Sequence, residues 1–218
     1  MKHLFSPQLA TVAAVTVLAA AAAQAQVATE YPYSQDNGFS APVSADDILT
    51  GATITTTGTL TNNFNEGTSN PSVLTNGIFS IRESDGLNQL FTPSEGATVT
   101  FTLAAPAFVT QISTYGGWQD SGRDRQNLVI EYAVAGALSA FLPVATVNFE
   151  PTNTDGGISA SRVDTFTSLA NVGAIRFTFP AQENGFAGYG EFDVIPEPSS
   201  AMLLGAGVLG LISRRRRA

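Results

Sequence analysis

The sequence predicts an all-β domain, an antiparallel β-sandwich, and three observations carry that expectation. From residue 53 onward, short stretches alternate apolar and polar side chains with the two-residue period of a half-buried strand. Gly, Asn, Asp and Pro separate those stretches at sandwich-like spacing, unlike the longer units that alternate strand with helix. Helical periodicity is nearly absent between residues 53 and 195.

Taken in order, residues 1–25 read as a secretory signal peptide. Lys2 and His3 give a basic start, residues 9–23 an apolar stretch, and Ala23-Gln24-Ala25 a small-residue cleavage site ahead of Gln26. Residues 26–52 contain Pro32, Pro42 and scattered aromatics, and are expected to form an N-terminal arm. The β-sandwich is expected over 53–195. Strands are predicted at 53–60, 97–103, 108–115, 127–134, 143–149, 162–169, 174–179 and 189–195. In the second, Val99, Phe101 and Leu103 share one face and three threonines the other; in the fourth, Leu128, Ile130, Tyr132 and Val134 point inward. The phenylalanines fall mostly at alternating strand positions and read as core. Residues 62–71 and 150–160 read as loops.

Residues 196–218 form a tail of distinct composition. Pro196-Glu197-Pro198 is expected to make an extended hinge, because proline neither continues a strand nor enters a helix interior. The apolar segment 201–212 follows; its twelve residues include three glycines and fall short of the ~20 needed to span a bilayer core. Arg214, Arg215, Arg216 and Arg217 then form a stop that stays on the cytoplasmic side. This order of triplet, short apolar helix and basic cluster resembles the PEP-CTERM sorting signal. The resemblance implies an exported protein of a Gram-negative host that makes an extracellular polysaccharide. It also implies transient inner-membrane anchoring, an exosortase acting near Pro196, Glu197 and Pro198, and a final place on the cell surface or in the matrix.

Between the two ends the charge is strongly negative. Five arginines, Arg82, Arg123, Arg125, Arg162 and Arg176, stand against seventeen acids from Glu30 to Asp193, a formal charge of −12. Such a surface repels phosphate backbones and makes nucleic acid a poor partner, whereas divalent cations and neutral polymers suit it. The chain has no cysteine, so its stability rests on a core, which a domain of about 150 residues can bury.

A second resemblance spans about residues 74–194. Leu74-Thr75-Asn76-Gly77, the strand 99–103, Tyr115-Gly116-Gly117-Trp118 with Gly122-Arg123, the strand 128–132 and Gly188-Tyr189-Gly190-Glu191-Phe192-Asp193-Val194 are similar, in order and spacing, to the discoidin-type galactose-binding-like jelly roll. That implies an antiparallel jelly roll, often with a structural calcium. It also implies that Glu191 and the Asn76 turn help hold the ion, Asn76 standing where Asp is usual. The alternative for Glu191 is a partly exposed strand residue paired with an arginine.

The only histidine is His3 and the only lysine Lys2, both in the signal peptide. Serine or cysteine nucleophiles therefore lack an imidazole base, zinc lacks nitrogen and sulfur ligands, and Schiff-base chemistry lacks its amine. Carboxylate pairs are what remain, and an enzyme is not expected. For binding, the stretch 115–126 gathers Trp118, Gln119, Asp120, Arg123 and Arg125, the residue types that stack on a pyranose and hydrogen-bond its hydroxyls. The alternative is that Trp118 folds back onto the sandwich edge while Arg123 and Arg125 pair with Asp120 and Asp124. Two functions stay open, a carbohydrate-binding module acting on extracellular polysaccharide and a structural surface protein without a ligand, with a glycoside-active enzyme as a third.

Overall fold

A computed structural model describes residues 24–31, 39, 40, 42–61, 67–81, 90–118, 122–152 and 159–197. Most of the expected signal peptide, the apolar segment 201–212, Pro198, Arg214–Arg217, Gln119 and Asp120 lie outside the described residues.

The fold is nearly all β. Its strands are β1 (Gln26–Tyr31), β2 (Phe39–Ser40), β3 (Thr53–Thr57), β4 (Gly67–Thr68), β5 (Ser80–Ile81), β6 (Leu90–Phe91), β7 (Thr98–Trp118), β8 (Gln126–Val134), β9 (Phe141–Phe149), β10 (Ser159–Thr178) and β11 (Tyr189–Pro196). One nine-stranded sheet runs β4-β6-β11-β7-β10-β8-β9, with β1 added on β10 and β3 on β7; β2 and β5 pair separately. All pairings are antiparallel except that of β4 with β6.

Two long strands curl this sheet into a sandwich. The first half of β7 lies between β3 and residues 174–178 of β10, which continue into β8 and β9. Its second half lies between β11 and residues 159–169 of β10, which carry β1 on the far side. Both strands pass from one layer to the other at a shared corner, where the register shifts between Phe166 and Leu169, Leu169 and Val172, and Val172 and Ala174. Pro106 sits opposite this irregularity, where a missing N–H costs no ladder bond. Asn171, at φ 54°, makes the turn with the side chain type that tolerates left-handed backbone.

Each of these long strands was expected as two, at 97–103 with 108–115 and at 162–169 with 174–179. The intervening Ala104-Ala105-Pro106-Ala107 and the stretch 170–173 lack alternation and read as breaks. The structure carries the backbone through them as bulged strand, because both strands cross the corner side by side.

The layers face each other through aromatic rings. Phe177 stacks on Phe192 at 4.2 Å between centroids, Phe101 meets Phe177 edge-on at 5.9 Å, and Phe179 packs on Tyr189 at 5.1 Å. Val99, Phe101, Leu128 and Ile130 are buried as their alternation requires. Tyr132 still packs half-buried against the core, but after the register shift against β9 at Ile130 it is Ala133 rather than Val134 that is buried.

The expected arm begins as a strand, since all six residues of β1 pair with β10. The hinge expected at Pro196 is corrected as well. Pro196 is the last residue of β11 and lies opposite Val109, while the Glu197 N–H donates to the Phe108 carbonyl at 2.9 Å. At that end β11 has β7 on one side only, so a residue without an N–H is tolerated.

A second cluster of Phe79, Leu90, Tyr115, Trp118, Ala160 and Phe186 covers the outer side of β7 and β11. Gly190 is the point of closest approach, since a Cβ there would overlap the Phe79 ring, itself packed on Tyr115 at 5.4 Å. Gly190→Ala is expected to destabilise the fold by ~1–3 kcal/mol through overpacking, read as a lowered midpoint in urea denaturation.

Candidate functional site

Strand β11 has two buried faces. Phe192 and Val194 enter the core, which by strand alternation turns Glu191 and Asp193 to the opposite face. In a simple sandwich that face would meet water. Here the segment 42–49 crosses it and is stitched down: Ser44 N–H donates to Asp193 Oδ2 at 2.7 Å, and Ile48 N–H to the Val194 carbonyl at 3.0 Å. Asp47 Oδ1 accepts from the backbone N–H groups of Val194 at 2.8 Å and Leu49 at 3.0 Å. The Tyr115 hydroxyl lies 2.9 Å from Asp193 Oδ2 and 3.1 Å from the Pro42 carbonyl.

The result is a group of three carboxylates, Asp47, Glu191 and Asp193, each offering an oxygen within 4.8 Å of the others. Glu191 is 1% exposed and Asp193 0%. Glu191 Oε1 accepts from Gly77 N–H at 3.3 Å, but Glu191 Oε2 and Asp193 Oδ1 are buried without a hydrogen-bond partner. Burial raises all three carboxyl groups from their ordinary values; repulsion from Asp193 adds to it at Asp47, from Asp193 and Asp47 at Glu191, which is pushed up to about 8, and from Asp164 at Asp193. Arg162 offsets part of the rise at Asp193, but its guanidinium is committed to Asp164 at 2.6 Å. Clustered acidic oxygens with orphaned lone pairs are the donor chemistry of a hard divalent cation.

Of the two residues expected at this position, Glu191 is part of the cluster. Asn76 is adjacent rather than included: its Oδ1 accepts from Ile78 N–H at 2.9 Å in a local turn, and the turn reaches Glu191 through Gly77 N–H. Asp47 and Asp193 were missed. The spacing Glu191-x-Asp193 on one strand was the available signal for Asp193; nothing local points to Asp47, which comes from the far end of the domain's sequence.

The loop expected to bind sugar has a different character. Trp118 is only 2% exposed, its ring edge-on to Phe186 at 5.5 Å, with the Arg123 guanidinium 4.6 Å from the Phe186 centroid and 5.9 Å from that of Trp118. The open stacking platform expected at Trp118 is therefore not what is built, because the outer cluster of β7 and β11 claims the ring. Arg125 remains at the surface, donating to Asn148 Oδ1 at 2.6 Å and lying 3.5 Å from Glu150. Beside it Asp124, Glu150 and Glu183 form a second group of carboxylates. Burial raises Glu183, with further upward pushes from Glu150 and Asp124.

Residues 194–217 match the PEP-CTERM protein-sorting motif, which marks an exported protein sorted to the cell surface. No curated protein matches the chain in sequence. In fold, it is similar to the CBM32-1 and CBM32-2 domains of Clostridium perfringens ZmpB. In complex with GalNAc that structure gives a TM-score of 0.52 at 13% identity, covering 83% of this chain and 42% of the other. A second structure of the same domains gives 0.51, also at 13% identity, covering 83% and 43%. A pectin-binding carbohydrate-binding module is similar at 0.45 and 14% identity, with 65% and 88% covered. The chain thus shares the galactose-binding-like β-sandwich of the two-domain clostridial structure and spans less than half of that structure's length.

The raised carboxyl groups dictate a pH dependence. A carboxyl whose folded pKa lies above its unfolded one supports the fold fully below the ordinary carboxylate range and loses that support as pH rises through the folded value, here about 8 for Glu191. In chelator-treated buffer the melting temperature is expected to fall between weakly acidic pH and pH above 8. Glu191→Gln is expected to flatten that fall and to melt above the wild type at the alkaline end; thermal denaturation across a pH series checks both.

Proposed function

We propose that this is an exosortase-processed cell-surface protein whose β-sandwich binds carbohydrate of the extracellular matrix and is braced by a calcium ion at Asp47, Glu191 and Asp193. The observation that carries the reading is the sorting motif at residues 194–217, beginning within the last strand of a sandwich that shares its fold with carbohydrate-binding domains. Those domains are binding modules, which supports a binding role over a catalytic one. The absence of histidine, cysteine and lysine from the body supports the same choice.

The calcium would bind the three carboxylates and relieve the two orphaned oxygens, so its role is structural: it ties the segment 42–49 to β11. Arg125, Asn148 and Asn184 supply hydrogen-bonding groups of the kind that a sugar needs. Gln119 and Asp120, adjacent to Trp118 in sequence, lie outside the described residues and carry no part of this reading. The burial of Trp118 favours the second reading, a structural surface protein without a ligand.

A glycan-panel titration of the full chain, with and without calcium, separates these. Saturable binding that Arg125→Ala weakens about tenfold, and that Trp118→Phe leaves within about twofold, supports the binding module. Silence across the panel by folded protein leaves the structural reading. For the metal, calcium at about a hundred times its Kd is expected to stabilise the fold by ~2.7 kcal/mol, and Asp193→Asn to abolish that gain; calorimetry with calcium against chelator reads it.

A further inference from the structure

The corner where β7 and β10 change layers differs from the rest of the surface. Residues 103–111, 133–145 and 165–175 meet there, and none of them is Asp, Glu, Lys or Arg, in a body carrying seventeen acids and five arginines. Four large apolar side chains stand out from it: Phe108 at 37% exposure, Leu138 at 44%, Leu142 at 46% and Phe166 at 42%. Their proximity follows from the pairing. Val172 lies opposite both Ala107 and Val134, and Ala135 N–H donates to the Asn171 carbonyl at 2.9 Å. A Cβ on Gly173 would come 2.8 Å from Leu138 Cδ2.

Both ends of the folded domain leave at this same corner. The Phe166 N–H donates to the Ala25 carbonyl at 2.9 Å, where β1 begins, and Glu197 N–H donates to the Phe108 carbonyl at 2.9 Å, where β11 ends. Each exit is therefore hydrogen-bonded to one of the two exposed phenylalanines. Beyond Glu197 only Pro198, Ser199 and Ser200 precede the apolar segment at 201, a reach of at most ~14 Å from Glu197 to Ala201.

From this we infer that the uncharged corner, centred on Phe108, Leu138 and Phe166, is a membrane-contact surface that rests on the lipid bilayer while the tail is anchored. The inference depends on the tail's anchoring in the membrane, as in the function proposed above. So short a connection holds the sandwich against the membrane with its exit corner leading. A body of charge −12 turned any other way would press carboxylates into the interface, where their desolvation is costly. The exposed apolar side chains match the interfacial zone, and Glu197 at the exit stays within reach of the headgroups. Release of the tail by processing would free this corner together with the domain.

The test uses the full chain, whose lack of cysteine allows single labels. Leu138→Cys, Phe166→Cys and, at the opposite end, the exposed Glu95→Cys each carry an environment-sensitive dye. The proteins are reconstituted into phosphatidylethanolamine–phosphatidylglycerol vesicles containing lipid with a quencher near its headgroup. Labels at 138 and 166 are expected to lose roughly half their emission or more to the lipid quencher and to be shielded from aqueous iodide, while the label at 95 behaves oppositely. Flotation with the vesicles but equal iodide access at all three positions overturns the contact and leaves anchoring intact. Failure to float overturns both. Protection at 138 that grows with protein density in the vesicles assigns the corner to a second copy and also overturns the inference.

Discussion

Strands β7 and β10 run side by side through both layers, and the other elements take their places from that pairing. Each strand serves two layers, so one set of backbone hydrogen bonds fixes how both layers pair and how they face one another. Aromatic rings then fill the space that this pairing defines, with Phe177, packed against Phe101 in one layer, stacking on Phe192 of the other. Because the same two strands also make the corner, they determine where the domain's ends leave and which part of the surface is left without charge.

The second strained economy lies outside that core. Covering the outer side of β11 with the segment 42–49 buries two carboxylates that strand alternation would otherwise leave in water. Burial of unpaired acid is costly, and the protein offsets it in part with backbone donors, Gly77 to Glu191 and Ser44 to Asp193. What those donors leave unsatisfied is one oxygen each on Glu191 and Asp193, and it is this residue of unmet bonding that sets the site apart from an ordinary acidic surface. The Asp124, Glu150 and Glu183 group is less telling, because Arg125 already stands beside it.

Much of the fold was legible because strand alternation is local. The faces of 97–103 and the first half of 127–134 follow from a two-residue period, and the observed burial agrees. Where the reading broke a strand, at 104–107 and 170–173, the local signal was accurate about irregularity but silent about pairing, and pairing carries the chain through. Trp118 shows the same limit for function. A tryptophan among amide, acid and guanidinium groups reads as a sugar platform from sequence, and Phe186, nearly seventy positions away, converts it into packing.

The all-β class and the address are written along the chain, since alternation, the Pro-Glu-Pro triplet, the apolar segment and the arginine cluster are each contiguous and act through local chemistry. It takes the folded chain to bring Asp47 to Glu191 and Asp193, to dock Pro196 on the sheet, and to gather both ends at an uncharged corner. The physical reason is that periodicity is written residue by residue, whereas burial and juxtaposition depend on which distant segment covers which face.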